Sequence, residues 1–258
     1  MKLQLLSDLH LESEAFDPEP AAGAELLVLA GDIDNRWAAL ERFAGWPVPV
    51  LVVAGNHEFD DRELMDAWPR LHARCASLGL RLLERASAVL SDSQGRRIRF
   101  LGTVRWCDFD LFGPAGRKKA MRAGAYFQKV MRATLGGQPF DAAAVREEAL
   151  ACREWLAGAL AQPGDEPCDA TVVITHFAPS LRSTDPRYGA QSGTASFCNA
   201  DDHLLPGVDL WLHGHLHCRH DYQVAHPDGR VTRVVSQARG LQAKGEPDGF
   251  QPLKLIEV

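Results

Sequence analysis

The residues able to do chemistry in this chain sit at the ends of short apolar runs. Leu3 to Leu6 leads into Ser7-Asp8-Leu9-His10, Leu26 to Ala30 into Gly31-Asp32, and Val48 to Ala54 into Gly55-Asn56-His57-Glu58. Farther on, Val172 to Ile174 leads into Thr175-His176, and Leu210 to Leu212 into His213-Gly214-His215-Leu216-His217. Carboxylates, imidazoles and an amide oxygen without thiolates suit divalent manganese, iron, zinc, cobalt or nickel. On extended backbone, residues i and i+2 project to one side, which makes Asp8 with His10 and His215 with His217 two chelating pairs. Asp32 stands alone after its run and is the carboxylate fit to serve both ligand groups, so the expected centre holds two metal ions. Gly31, Gly55 and Gly214 fall where the backbone must turn sharply or approach another segment closely.

Each piece alone has an ordinary explanation. Asp, His and Asn are common at strand ends and turns, and a lone His176 reads as a hydrogen-bonded core histidine. Five apolar runs ending this way in one chain are another matter, because the carboxyl ends of strands in an open α/β sheet share the edge where ligands bind. Such runs alternate here with segments of helical period, the order of crossover-connected strands. Strands are expected at 2–6, 25–30, 48–54, 81–84, 86–91, 97–104, 170–175, 208–213, 221–225, 231–236 and 253–257, and helices at about 35–45 and 61–78. Residues 114–133 and 141–161 read as two further amphipathic helices, the second with Val145, Ala149, Cys152, Leu156 and Leu160 at three- and four-residue intervals. With no repeat and no long linker, the expectation is one domain over 1–258 with a helical insertion at about 105–161.

The 258 residues are 46% hydrophobic and 24% charged, an ordinary globular composition. A formal charge of −6 argues against a stable nucleic-acid partner, since that binding neutralises many phosphates. Six cysteines without a C-x-x-C pair read as free thiols in a reducing cytoplasm. No apolar run approaches the roughly 18 residues of a membrane span. The first apolar stretch is broken by Asp8 and His10, too early for a signal peptide, so the expectation is a cytoplasmic protein with no membrane partner.

The series D-x-H, G-D, G-N-H-[DE], a lone H and G-H-x-H, complete and in order from Asp8 to His217, resembles the calcineurin-like metallophosphoesterase family. The resemblance implies an α/β fold, a four-layer α/β/β/α sandwich with two central mixed β-sheets. It implies that Asp8, His10, Asp32 and His217 hold one metal ion, and that Asp32, Asn56, His176 and His215 hold the other. It also implies that His57 faces substrate as the catalytic residue. Family members often carry G-D-x-x-D, whose second Asp orients that histidine. Here the segment is Gly31-Asp32-Ile33-Asp34-Asn35, and Asn35 accepts a hydrogen bond but brings no charge.

Two divalent ions about 3.5–4 Å apart lower the pKa of a bridging water and clamp the phosphoryl oxygens. A metal-bridging hydroxide then attacks phosphorus, with His57 assisting the departing oxygen. The expected function is hydrolysis of a small phosphoester substrate, a phosphodiester first, because no paired-arginine motif for a dianionic phosphate is evident. A phosphomonoesterase or protein phosphatase is the alternative. A nuclease fits less well without a long basic groove, and a non-catalytic scaffold would show broken ligand positions, whereas every position here is metal-competent. Arg117, Lys118, Lys119, Arg122, Lys129 and Arg132 form a basic face on the first inserted segment, either solvated or an anion-recruiting lid. His203, His213, Arg219 and His220 are candidates to support the metal ligands, and Trp106, Asp108 and Phe109 to line the pocket or simply end a strand.

Overall fold

The alternation of side chains along the apolar runs decides the layering. The computed structural model describes residues 1–162, 164 and 167–258, with the side chains of 126–128 left aside. In chain order the elements are β1 (Lys2–Leu6), β2 (Leu26–Ala30), β3 (Val50–Val53), α1 (Leu64–Ser77), β4 (Arg81–Leu82), β5 (Ala86–Ser91) and β6 (Arg97–Thr103). Then come α2 (Gly113–Gly124), α3 (Tyr126–Met131), a hairpin of β7 (Thr134–Leu135) and β8 (Gln138–Pro139), and α4 (Ala142–Ala161). The chain finishes with β9 (Ala170–Thr175), β10 (Leu210–His213), β11 (Arg219–Ala225), β12 (Val231–Gln237) and β13 (Leu255–Glu257).

One sheet has the order β13-β1-β2-β3-β4 and the other β11-β12-β10-β9-β6-β5. Both are mixed: parallel centres are flanked by the antiparallel edge strands β13, β5 and β11. Leu3, Leu5, Val28, Ala30, Leu51 and Val53 face the second sheet's Ile98, Phe100, Val172, Ile174, Leu210 and Leu212 in a shared core. The alternate residues Leu27, Leu29, Val50 and Val52 point outward to Leu64, Ala67, Leu71 and Cys75, the apolar stripe of α1. On the far side, Leu101, Val173, Trp211 and Val234 meet Leu156 of α4. The result is the expected α/β/β/α sandwich, in which full burial of each leucine contributes about 1.5–3 kcal/mol.

The helix expected at 35–45 is only a 3₁₀ turn, Ala39–Phe43. Leu40 and Phe43 do face the core, but Asp34 ties the amides of Arg36 and Ala39 to its carboxylate and Trp37 is left-handed (φ 63°), so no helix can begin earlier. The turn ends as Ala44 becomes extended, and Gly45 after it is left-handed. The stretch 114–133 divides into α2 and α3. No helix among the described residues is long and apolar enough to cross a membrane.

Candidate metal centre

β1, β2 and β3 lie side by side and parallel, as do β9 and β10, so their carboxyl ends deliver Asp8, Asp32, Asn56, His176 and His215 to one edge. The two sheets are joined there. Ser7 bridges to Ala238, and the amides of Arg239 and Gly240 donate to the carbonyls of Ser7 and Asp8, both at 3.0 Å. Beyond the strands the loops stay paired, with Asp8 N to Gly31 O at 2.9 Å, His10 N to Asp32 O at 3.1 Å and Gly214 N to His176 O at 3.0 Å.

The expectation that extended backbone forms the chelating pairs does not hold. Asp8, His10, Asp32, His215 and His217 all have positive φ, between 47° and 71°. Asp8 and His10 still converge, but by left-handed turns, and His215 and His217 are sent to different clusters. Holding non-glycine residues in that region costs of order 1–3 kcal/mol each, strain of the kind concentrated at functional sites. Two glycines make the crowding feasible. Gly31 is left-handed (φ 89°), and a Cβ there would stand 2.6 Å from the Gly55 nitrogen; a Cβ on Gly214 would stand 2.6 Å from Asp8 Oδ2.

Ligand atoms of Asp8, His10, Asp32 and His217 lie within 4.8 Å of one another, as do those of Asp32, His176 and His215. Asp32 is common to both groups, and Asn56 Oδ1 joins the second at 3.2 Å from His176 Nε2. Whether cations fit can be judged from the hydrogen bonds. His10 Nδ1 meets Glu12 Oε1 at 3.2 Å and His217 Nδ1 meets Glu246 Oε2 at 2.7 Å, so in the neutral rings both Nδ1 atoms are donors. The two Nε2 atoms then present lone pairs to each other at 3.1 Å, an arrangement that is repulsive unless positive charge lies between them. His176 repeats the pattern: Nδ1 donates to the Ala30 carbonyl at 2.9 Å, and Nε2 confronts Asn56 Oδ1 and Asp32 Oδ2, each at 3.2 Å. Among the described residues Asp32 Oδ2 is buried with no hydrogen-bond donor, and the His176 ring stands at ion-pair distance from it. Divalent cations fit these donor sets, and imidazoles backed by a carboxylate or carbonyl are the usual form of metal-ligating histidine.

The electrostatics agree. Burial works against the charge on Asp32, yet the neighbouring His176 and His57 hold its carboxyl well below the usual range. Burial likewise opposes protonation of His176 and His57, but the Asp32 carboxylate, helped at His57 by Asp60, lifts them to about 9 and about 10. The clustered carboxylates thus draw in positive charge, which bound metal ions would supply in place of imidazole protons. His215 is pushed the other way by burial and by His176; its Nε2 faces the Ser196 carbonyl at 3.3 Å, and Phe197 stacks on its ring.

His57 stands beside the clusters and belongs to neither. Its amide donates to Asp32 Oδ1 at 2.8 Å, its Nδ1 lies 2.8 Å from Asp60 Oδ2, and its side chain is 27% exposed, more than any metal candidate. Asn35, in the place where the resemblance suggested an orienting group, is engaged through its backbone, to Glu12 and to Arg62. Sequence reasoning also passed over Glu58, which is buried and accepts the amides of Asp32 (2.9 Å), Ile33 (2.7 Å) and Gly55 (2.6 Å). Burial and the charge of Asp32 push its carboxyl up to about 7.

The other candidates fall mostly outside the centre. Trp106, Asp108 and Phe109 are buried in the fold; Asp108 pairs with Arg105 and Arg153. His213 bonds Ser183 at 3.0 Å, and burial lowers its pKa to about 3. His203 is exposed, and His220 contacts Cys218. Arg219 does contribute indirectly, by donating to the carbonyls of Ala238 and Glu246 and so bracing the loop behind His217. On the basic face, Arg117 pairs with Asp110 and Arg132 with Asp61, while Lys118, Lys119 and Arg122 are exposed.

The family model described as calcineurin-like phosphoesterase matches residues 3–219. Among curated proteins none matches. The crystal structure of the phosphopantetheinyl hydrolase PptH from Mycobacterium tuberculosis is similar, with a TM-score of 0.72 over 100% of this chain and 95% of that one, at 18% identity. Likeness at that identity speaks for the fold alone; the family match, which spans every residue of both clusters, carries the conclusion that this chain belongs to the calcineurin-like phosphoesterases, metal-dependent hydrolases of phosphoester bonds.

Proposed function

We propose that the chain hydrolyses a small-molecule phosphodiester at a binuclear centre. Asp8, His10, Asp32 and His217 would hold one divalent ion, and Asp32, Asn56, His176 and His215 the other. The observation that carries this reading is the convergence of imidazole lone pairs and the orphaned Asp32 Oδ2 on two adjacent points. When bound, the ions supply a water ionised near neutral pH and a Lewis-acid clamp on the phosphoryl oxygens. The protein's part is to hold the ligands rigid through Glu12, Glu246, Glu58 and the Ala30 carbonyl, and to place His57 Nε2 toward the departing oxygen as proton donor. Hydrolysis of the ester needs one proton there and one water, with no covalent enzyme intermediate.

The diester preference rests on charge. The hydrogen-bond partners found for the clustered residues are carboxylates, imidazoles, amides and carbonyls, and Arg187, which approaches Glu246 at 3.8 Å, is already paired with Asp185 at 2.7 Å. A second negative charge on a monoester would find little to pair with it. The helical stretch between β6 and β9 is read as an insertion into a single metallophosphoesterase domain. Six free thiols, four of them buried, favour a reducing compartment such as the cytoplasm. The deciding experiment reconstitutes metal-free protein with manganese, iron, zinc, cobalt or nickel singly. Matched diesters, monoesters, cyclic nucleotides and a phosphopantetheinyl ester, suggested by the PptH likeness, are then assayed at equal loading. Diesters should be turned over fastest; faster turnover of the matching monoester would overturn the preference, and no turnover with any metal would overturn the hydrolase reading.

A further inference from the structure

We propose that Asp60 is the positioning residue of His57, a role resting on the reading of His57 as the proton donor. The geometry follows from the local turn. His57–Phe59 is a 3₁₀ turn closed by the Asp60 amide donating to the His57 carbonyl at 3.2 Å. With three residues per turn, side chains at i and i+3 eclipse, which brings the Asp60 carboxylate beneath the imidazole that begins the turn. Nδ1 and Oδ2 meet at 2.8 Å. That hydrogen bond fixes both the tautomer and the ring angle, so Nε2 is the nitrogen left for substrate. The ring stands edge-on to His10 at 5.3 Å between centroids, which sets it beside the metal ligands rather than among them.

The chain that follows Asp60 is tied to the end of α3 and to the β7–β8 hairpin. The next amide, of Asp61, donates to the Met131 carbonyl at 2.7 Å, and Arg132 grips the Asp61 carboxylate at 2.6 and 2.5 Å. Thr134 N donates to Arg62 O at 2.8 Å, and Glu63 accepts the amides of Gly136 and Gly137. The end of α3 and the β7–β8 hairpin therefore brace the segment that carries the carboxylate. One feature speaks against a merely structural role. Asp60 Oδ1 is buried without a hydrogen-bond partner among the described residues, an unfavourable arrangement for a residue kept only for stability. A rigid shell behind a catalytic side chain is what gives it a usable orientation.

The test compares H57A, D60A, D60N and the double variant H57A/D60A on diesters whose leaving groups run from alkyl alcohols to p-nitrophenol. Metal content is measured on every sample. D60A should keep both metal equivalents and a near-normal KM while losing about 10–100-fold in kcat on alkyl esters. On p-nitrophenyl esters, which need no proton donor, it should change little. D60N, whose amide oxygen still accepts from Nδ1–H, should lose less than D60A, and it serves as the isosteric variant should D60A fold poorly. The double variant should be no slower than H57A, because two residues acting as one unit are not additive. Multiplying losses in the double variant, or wild-type rates on alkyl esters in both D60A and D60N, would overturn the proposal. Failure of the His57 reading shows separately, as an H57A loss that is even across leaving groups, and the double variant still decides the role of Asp60.

Discussion

Removing Glu58 should damage the fold before it damages the chemistry. Its carboxylate accepts three amides, those of Asp32, Ile33 and Gly55, in a site where water cannot replace it. Glu58→Ala leaves all three donors orphaned at about 1–3 kcal/mol each, some 3–9 kcal/mol together, against a usual domain stability of about 5–15 kcal/mol. Glu58→Gln keeps an oxygen for two of them and turns its NH₂ toward the third, so its loss is about 1–3 kcal/mol. Urea unfolding of the metal-free variants at fixed pH, followed by tryptophan fluorescence, measures this. Trp37 is a local reporter, since its Nε1 donates to the Glu58 carbonyl at 2.9 Å. The order of stability should be wild type, Gln, Ala, and metal affinity should fall in the same order because the amides of Asp32 and Gly55 belong to the loops that carry ligands. An Ala variant within about 0.5 kcal/mol of wild type, the range of neutral surface changes, would refute the reasoning.

Two further outcomes follow from buried charge. Arg105 is fully buried and pairs with Asp201 and Asp108 while donating to the carbonyls of Trp106 and Ala149. Arg105→Met strands the Asp201 carboxylate and should cost about 3–5 kcal/mol by chemical denaturation, with Asp201→Asn in the same background recovering part of it. Burial pushes the Glu84 carboxyl from 4.5 up to about 7 despite the Val104 amide and Arg85. The folded state therefore holds a proton that the unfolded chain has released, and stability falls as pH rises from about 4.5 to about 7, by up to roughly 3 kcal/mol. Glu84→Gln should reduce that part of the slope, leaving the share of Glu58, whose carboxyl burial also pushes up to about 7, as measured by denaturation across the window; an unchanged slope would contradict the assignment.

The strands were legible because parallel central strands bury both faces: Leu26 to Ala30 is apolar throughout, and its end is marked by Gly31-Asp32. The seven clustered residues were legible for the same reason, each lying within five residues of the end of an apolar run. Their backbone was not. Nothing in Asp8, His10 or His217 announces a left-handed conformation, so the extended-pair geometry misassigned how they converge. The supporting carboxylates were harder still. Glu246 reaches His217 from 29 residues away, a contact made by the return of the chain after β12, and no local pattern encodes it. Asp60 was in plain view three residues after His57, but its role depends on a 3₁₀ turn that three residues cannot specify alone. The 35–45 segment misled because Leu40 and Phe43 carry a helical spacing while Asp34 and Trp37 impose a turn.

The central claim is a binuclear centre whose halves share Asp32, and elemental analysis after desalting tests it most directly. Wild-type protein should retain two equivalents of divalent metal. Asp32→Asn should depress both, because the carboxylate supplies charge to each cluster, while Asn56→Ala should depress mainly one. Loss of a single equivalent in Asp32→Asn with the other fully retained would contradict the shared role, and a wild-type protein that binds only one would contradict the centre itself.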